Sequence, residues 1–466
     1  MTKDFEGGSQ TIAAVATGMA RTAIGILRLS GDAAIPALSA VFHPDSGRSL
    51  SDYPPRQLVY GTLCDRDGNP IDKALATLSR APHSYTGEDT AEVQCHGSPR
   101  LLTLGLEAIF AQGVRQATAG EFTRRAYLNG RLDLPQAEAV ADLIDAETPS
   151  AVRHAAGQLS GALSRRVGAI YDELVDLMAH FCAVLDYSDE DLDPFRTETI
   201  QKSLAHAAEA LERLLASYDR GRHAVGGVPC AIVGRPNAGK SSLLNALLGY
   251  DRAIVTALPG TTRDTIEEKA ELGGVLLRLI DTAGLRETGD EIERLGVARS
   301  RAALAGADLA LVLIDGSLPP NPEDLAVLRA AQAAVPQVLL LRTKSDLERA
   351  EGSLSSLGQD ALPESLSVSA KTGAGLDALS AAVAERFPQG APEEAGELLT
   401  NARQAEAAGR ALDGVLRAQS ALSAGITPDA VLTDVEEALA ALGELTGKTV
   451  RSDITARIFQ RFCVGK

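Results

Sequence analysis

Apolar positions change their period along this chain, and each change marks a different kind of structure. Short apolar runs at 11–16 and 24–29 predict strands, and Asp67-Gly68 between alternating stretches predicts a hairpin. Thr118 and Glu121 have capping-box spacing, and Pro135 suits the first turn of a further helix. From Val152 the positions Ala156, Leu159, Leu163, Val167, Ile170, Leu174, Leu177, Phe181 and Val184 recur every three or four residues, which predicts one long amphipathic helix. Beyond Gly226-Gly227 the runs 232–233, 275–280, 338–341 and 366–368 read instead as buried strands, each followed by a polar loop. A helical period returns with Leu412, Leu416, Leu432, Val435, Leu439, Leu442, Ile454 and Ile458. Together with residues 200–218 these would complete a bundle begun by 152–184.

The expected fold is therefore multidomain, mixing α+β and α/β parts. An N-terminal α+β domain spans 1–120, and a discontinuous helical bundle comprises 121–226 and 389–466. An α/β module at 227–388 is inserted between its halves. A chain of 466 residues is long enough for roughly three such domains. No apolar run is long enough to span a bilayer, and the five cysteines lack disulfide or metal-ligand spacing, so a cytoplasmic protein without membrane contact is expected. Cys95 and Cys230 read as core residues.

The chemistry is carried by Gly234-Arg235-Pro236-Asn237-Ala238-Gly239-Lys240-Ser241, which follows a predicted strand and fits the phosphate-loop pattern G-x-x-x-x-G-K-S/T. Its glycines let backbone N–H groups face a triphosphate, Lys240 reaches the β- and γ-phosphates, and the Ser241 hydroxyl suits Mg²⁺. Further nucleotide-reading elements follow in the order that a GTPase of the Ras-like fold requires. Gly260-Thr261-Thr262 offers a hydroxyl, Thr262, to Mg²⁺ and the γ-phosphate. Asp281-Thr282-Ala283-Gly284 places a carboxylate near the metal. Thr343-Lys344-Ser345-Asp346 and Ser369-Ala370-Lys371 end two further apolar runs and describe a base pocket. The Asp346 carboxylate can accept from N1–H and the exocyclic amine of guanine, and adenine offers neither, so GTP outranks ATP.

Two positions depart from the common GTPase pattern. Most GTPases have Asn where this chain has Thr343, which puts a base contact and a tie to the phosphate loop at stake and predicts weaker binding. Leu285 stands where Ras-like proteins place the Gln that orients the attacking water, so another group must polarise it. The acidic segment 286–293 offers several carboxylates, although most of its residues read as a solvated helix start. Asn237 reads equally as an ion ligand and as a residue tolerant of left-handed backbone angles.

Beyond the GTPase elements, Ser84-Tyr85-Thr86-Gly87-Glu88-Asp89, Gly120-Glu121-Phe122-Thr123, Leu132-Asp133-Leu134 with Gln136-Ala137-Glu138, and the terminal Cys463-Val464-Gly465-Lys466 resemble the MnmE (TrmE) family of tRNA-modifying GTPases, over nearly the whole chain. The resemblance implies that Glu293 polarises the attacking water and that potassium replaces an arginine finger. Its ligands would be Asn237, the Thr256 and Leu258 carbonyls and Thr261. The nucleotide site then extends over Ser242 and over Thr256, Ala257, Leu258 and Pro259.

The same resemblance makes 1–120 a folate-binding and dimerisation domain. Arg28, Glu92, Arg131 and Lys466 would contact a reduced folate, a tetrahydrofolate derivative, with Arg131 standing where the family often has Lys. Cys463 is a candidate for the modification chemistry, or a half-buried cysteine near a helix end. The protein would be a homodimer that joins the flavin protein MnmG in a heterotetramer or larger complex. With tRNA bound, it would add an aminomethyl or carboxymethylaminomethyl group to C5 of a wobble uridine.

Charge qualifies the RNA reading. The net charge is −17; residues 1–130 hold 12 basic and 13 acidic side chains and residues 227–388 hold 16 and 21, so most of the acidic excess lies in the helical remainder. Indiscriminate RNA binding by this chain alone is not expected, and a partner would share the RNA. The competing reading is a ribosome-assembly or regulatory GTPase switch, although no basic RNA-binding segment accompanies the nucleotide motifs.

Overall fold

The computed structural model describes residues 10–186, 197–250, 268–280, 302–350, 365–388, 395–426, 428–449, 458, 462 and 465. They fall into two compact units, one drawn from Met1–Ile144, Leu159–Phe195 and Ser420–Lys466, the other from Asp145–Gln158 and Arg196–Gln419. The mixture of α+β and α/β parts is as the sequence predicts. Among the described residues no helix is long and apolar enough to cross a membrane.

The first unit is built on β1 (Ile12–Val15), β2 (Thr22–Ser30), β3 (Phe42–Pro44), β4 (Val59–Cys64), β5 (Pro70–Ser79), β6 (Thr90–Gly97) and β7 (Arg115–Gln116). These form one sheet in the order β3-β4-β5-β6-β2-β1-β7, antiparallel except where β1 meets β7. Alternation along β2 sends Leu27 and Leu29 into a core shared with Phe42, Leu63, Val93 and Leu102. Arg28 therefore lies on the opposite face, level with Ala14 and Glu92. The hairpin at Asp67-Gly68 closes through the Asp65 carboxylate, which accepts from the Asp67 and Asn69 N–H groups, and Gly68 takes φ +82°.

Two helical expectations are corrected. The helix Glu121–Leu128 begins after Gly120, in left-handed conformation, and not at a capping box on Thr118. The Glu121 carboxylate does reach back to the Thr118 N–H at 2.9 Å, but the Thr118 hydroxyl donates to that carboxylate at 3.2 Å and caps no backbone group.

The single long helix is instead two, Pro149–Leu159 and Ala162–Asp186, broken at Gly161 with φ +83°. Leu163, Val167, Ile170, Leu174 and Leu177 are buried as expected, whereas the earlier helix buries Ala151, His154, Ala155 and Gln158 and exposes Val152 and Ala156. A left-handed glycine lets the chain change direction, so the stripe need not continue in phase. In the first unit the helix Pro428–Thr446 packs along Ala162–Asp186.

The second unit carries β8 (Val228–Gly234), β9 (Glu268–Leu272), β10 (Val275–Leu279), β11 (Leu309–Asp315), β12 (Gln337–Thr343) and β13 (Ser365–Ser367), in the order β13-β12-β11-β8-β10-β9. All neighbours are parallel except β9 and β10. Every residue of β11 is buried, as a strand covered on both faces requires. The helices Lys240–Tyr250 and Leu376–Arg386 supply Leu243, Leu247, Leu379 and Val383 to one face, and Pro322–Ala334 supplies Leu328 and Ala331 to the other.

Residues 395–400 lie along helical segments of the same unit. The Gln158 amide donates to the Leu398 carbonyl at 2.8 Å, and the Ser217 hydroxyl accepts from the Leu399 N–H at 3.2 Å. Gly157 and Gly396 abut backbone to backbone; a Cβ on either would collide with the other strand of chain.

Candidate functional site

In a parallel sheet, ligands bind beyond the carboxyl ends of the strands. Three predicted elements meet there. The phosphate loop leaves β8 and enters the helix Lys240–Tyr250, while β12 delivers Thr343–Asp346 and β13 delivers Ser369–Lys371.

The loop geometry follows from its residues. Gly239 takes φ +91° and Asn237 takes φ +62°, so the bland reading of Asn237 as tolerant of left-handed backbone is realised, and its side chain is exposed. The Lys240 ammonium donates to the carbonyls of Gly234 and Arg235, each at 2.8 Å, and burial pushes its pKa down. Arg235 Nε donates to Oδ1 of Asp324 at 2.6 Å. Ser241 and Ser242 occupy the first turn of the helix, beside the N–H groups that make helix N-termini favourable to phosphate.

The base-side elements interlock with that loop. The buried Thr343 hydroxyl donates to the Ala238 carbonyl at 2.7 Å, with a longer contact of 3.2 Å to the Ile314 carbonyl. The tie that Asn makes in most GTPases is thus made by Thr. Lys344, at φ +58°, donates to Asp315 at 2.5 Å. Burial opposes ionisation of Asp315, but Lys344 and Ser317 overcome it and hold its pKa low. The Ser369 hydroxyl, fully buried, donates to Asp346 at 2.7 Å and keeps that exposed carboxylate ionised and oriented. The Ser345 N–H donates to the Val368 carbonyl at 3.2 Å, so the two base-side loops are one structure.

Sequence reasoning missed Asp315 and Asp324. The signals were present: a carboxylate ending the apolar run of β11, and Asn321-x-x-Asp324 spaced as a capping box. Thr256, Ala257, Leu258, Pro259, Gly260, Thr261, Thr262, Asp281, Thr282, Ala283, Gly284 and Glu293 lie outside the described residues, as do Cys463 and Lys466.

The first unit brings together part of a second predicted site. Arg28 Nε donates to Glu92 at 2.6 Å across β2 and β6, and the guanidinium stands 5.9 Å from the centre of the Phe122 ring. Tyr85, whose pKa burial raises, shares a hydrogen bond of 2.9 Å with Thr123. Arg131 is exposed and packs its chain beside Gly87, and buried Gly465 sits against Val15 and Ala16.

The segments Ser84–Asp89 and Gly120–Thr123 feed a buried polar network behind these groups. Arg125 donates to Glu88 at 2.8 Å and Glu121 at 3.1 Å, while Ser30 bonds Thr86 and Glu88, each at 2.7 Å.

Two family descriptions match the chain: "MnmE helical domain" over residues 134–463 and "GTP-binding protein TrmE N-terminus" over residues 11–131. The tRNA modification GTPase MnmE of Roseiflexus sp. strain RS-1 is 45% identical, with 98% of this chain and 99% of that protein aligned. Those of Symbiobacterium thermophilum and of a Thermus thermophilus strain are also 45% identical, over 98% of this chain and 100% and 99% of theirs. The chain therefore belongs to the MnmE family of tRNA modification GTPases.

Proposed function

We propose that this GTPase uses GTP turnover to drive modification at C5 of the wobble uridine of certain tRNAs, with a reduced folate as one-carbon source and the flavin protein MnmG as partner. The observation that carries the nucleotide half is the junction of Thr343 with Ala238, beside an Asp346 carboxylate fixed by Ser369. Asp346 and the loop 234–241 lie at the same end of one sheet, which supports a guanine-reading acid beside a phosphate-reading loop.

The chain's own groups then divide the work. Lys240 and the backbone N–H groups of 238–241 hold the β- and γ-phosphates, Asp346 reads the base, and Ser241 with Thr262 would hold Mg²⁺, whose charge offsets that of the phosphates. The exposed Asn237 side chain, within the phosphate loop, carries an amide oxygen that fits a potassium ligand. Thr256, Leu258 and Thr261 would complete that set, and the ion would supply positive charge where other GTPases use an arginine. Glu293 would orient water.

The folate half rests on Arg28, Glu92 and Arg131, gathered in one unit with Phe122 and Tyr85 nearby. The exposed Tyr85 ring and these guanidinium groups suit a flat heterocycle with a carboxylate tail, with buried Phe122 backing Arg28. Homodimerisation through residues 1–120 belongs to the same reading, as does Cys463 near the reacting carbon.

The test is nucleoside analysis of tRNA from cells lacking the chain, paired with GTP turnover in potassium and in sodium. Loss of the C5 aminomethyl-type nucleosides and a potassium-dependent rate are expected. Unchanged nucleosides with intact turnover would favour the ribosome-assembly or switch reading, and equal rates in the two ions would remove potassium.

A further inference from the structure

The end of β11 and the first turn of the helix Pro322–Ala334, joined by one short loop, hold two buried carboxylates, Asp315 and Asp324, each divided between two tasks. One oxygen closes its own loop: Asp315 Oδ1 accepts from the Ser317 N–H at 3.0 Å and hydroxyl at 2.6 Å, and Asp324 Oδ2 accepts from the Asn321 N–H at 3.0 Å. The other reaches a nucleotide loop: Asp315 Oδ2 takes Lys344 of the base loop at 2.5 Å, and Asp324 Oδ1 takes Arg235 of the phosphate loop at 2.6 Å. A helix cap or a tight turn needs one such oxygen and leaves the acid in water. Here the side chains are 6% and 1% exposed, so both acids are desolvated and depend on their cations.

We propose that Asp315 and Asp324 are positioning residues that brace the base loop and the phosphate loop against one segment and so set the distance between them. This rests on the guanine-nucleotide reading of the site. With their oxygens taken by protein groups, neither acid is assigned to meet the nucleotide. Each acts through a residue flanking a group that does: Lys344 lies two residues from Asp346, and Arg235 lies in the loop whose carbonyls meet Lys240. Lys344 gains further, because its left-handed backbone is costly for a non-glycine residue and the ion pair helps to hold it there.

The experiment is equilibrium binding of GDP, IDP and ADP to the full chain and to Asp324→Asn, Asp315→Asn and Arg235→Lys, with melting curves for each. IDP lacks the exocyclic amine, so it separates base reading from phosphate reading. Asp324→Asn is expected to weaken GDP and IDP alike, by about tenfold, through a misplaced phosphate loop. Asp315→Asn is expected to weaken GDP more than IDP, reducing the preference for guanine.

Arg235→Lys leaves the helix cap intact, loses the guanidinium fork and should reproduce the phosphate-side loss even if Asp324→Asn does not fold. A parent chain that binds GDP no better than ADP overturns the site reading and the brace with it. A GDP-selective parent whose folded variants keep both affinities, or lose GDP and IDP equally at both acids, overturns the brace alone.

Discussion

Thr343, at the end of β12, donates its hydroxyl to the carbonyl of Ala238 inside the phosphate loop, 2.7 Å away and out of contact with solvent. The loop that follows β12 and the loop that follows β8 are thus joined by a neutral hydrogen bond. Thr343→Val keeps the shape and leaves the Ala238 carbonyl unpaired, which should cost about 1–3 kcal/mol of local stability and weaken GDP by about tenfold or more. Thr343→Ser should restore most of it. Titration with a fluorescent GDP analogue checks both.

On the proposed reading, Asp346 determines the base. Asp346→Asn replaces two acceptor oxygens with one acceptor and one donor, the pattern that xanthine satisfies and guanine does not. GTP affinity should fall by about two orders of magnitude or more while XTP affinity rises. Competition binding with both nucleotides reads the exchange. Ser369→Ala should give a smaller loss without a gain for XTP, because it frees the carboxylate to rotate but keeps its charge.

Glu121 predicts an acid limit for the first unit. Burial raises its pKa, but Arg115, the Thr118 N–H and Arg125 outweigh burial and bring it from 4.5 to about 2. A folded value below the unfolded one means that the stability Glu121 adds is complete above pH 4.5 and is lost as the pH falls toward 2. Glu121→Gln should flatten the pH dependence of the urea midpoint across that window. At neutral pH it should cost about 3 kcal/mol, because Arg115 and Arg125 lose a buried partner.

Gly157 should tolerate no side chain. A Cβ there meets the Ala395 carbonyl and the Gly396 Cα. Gly157→Ala ought to destabilise the second unit by about 1–3 kcal/mol through overpacking, despite alanine's better helix propensity. Thermal melting with and without GDP measures it.

The nucleotide loops were legible because their chemistry is local: Gly239, Lys240 and Ser241 are adjacent in sequence, and so are Thr343 to Asp346. The break at Gly161 was not. Two helices that each keep a 3.6-residue period look like one when read along the chain, and only the burial of His154 and Gln158 on a shifted face tells them apart. Gln158 is buried because the Leu398 carbonyl, 240 residues away, accepts from its amide. The ion pairs of Asp315 and Asp324 were hidden for the same reason, since Lys344 follows β12 and Arg235 follows β8, each far along the chain from its acid. The segments around Thr86 and Glu121 stood out by resemblance as marks of function, and much of what they do is to hold one another through Arg125.

The ring of His223 stands 5.3 Å from that of Phe387, edge to face, and the neighbouring Arg222 grips Asp308 with both guanidinium arms at 2.7 and 2.9 Å. His223 precedes β8 and Phe387 follows the last helix of the sheet, so the chain leaves this module beside the point where it came in. A stretch with adjoining ends can be cut out and bridged by a few residues, or closed on itself and reopened elsewhere, without pulling apart what remains. Residues 228–387 are therefore expected to fold when produced alone, short only of the Arg222 and His223 contacts to Asp308, and titration of that stretch with nucleotide would check it.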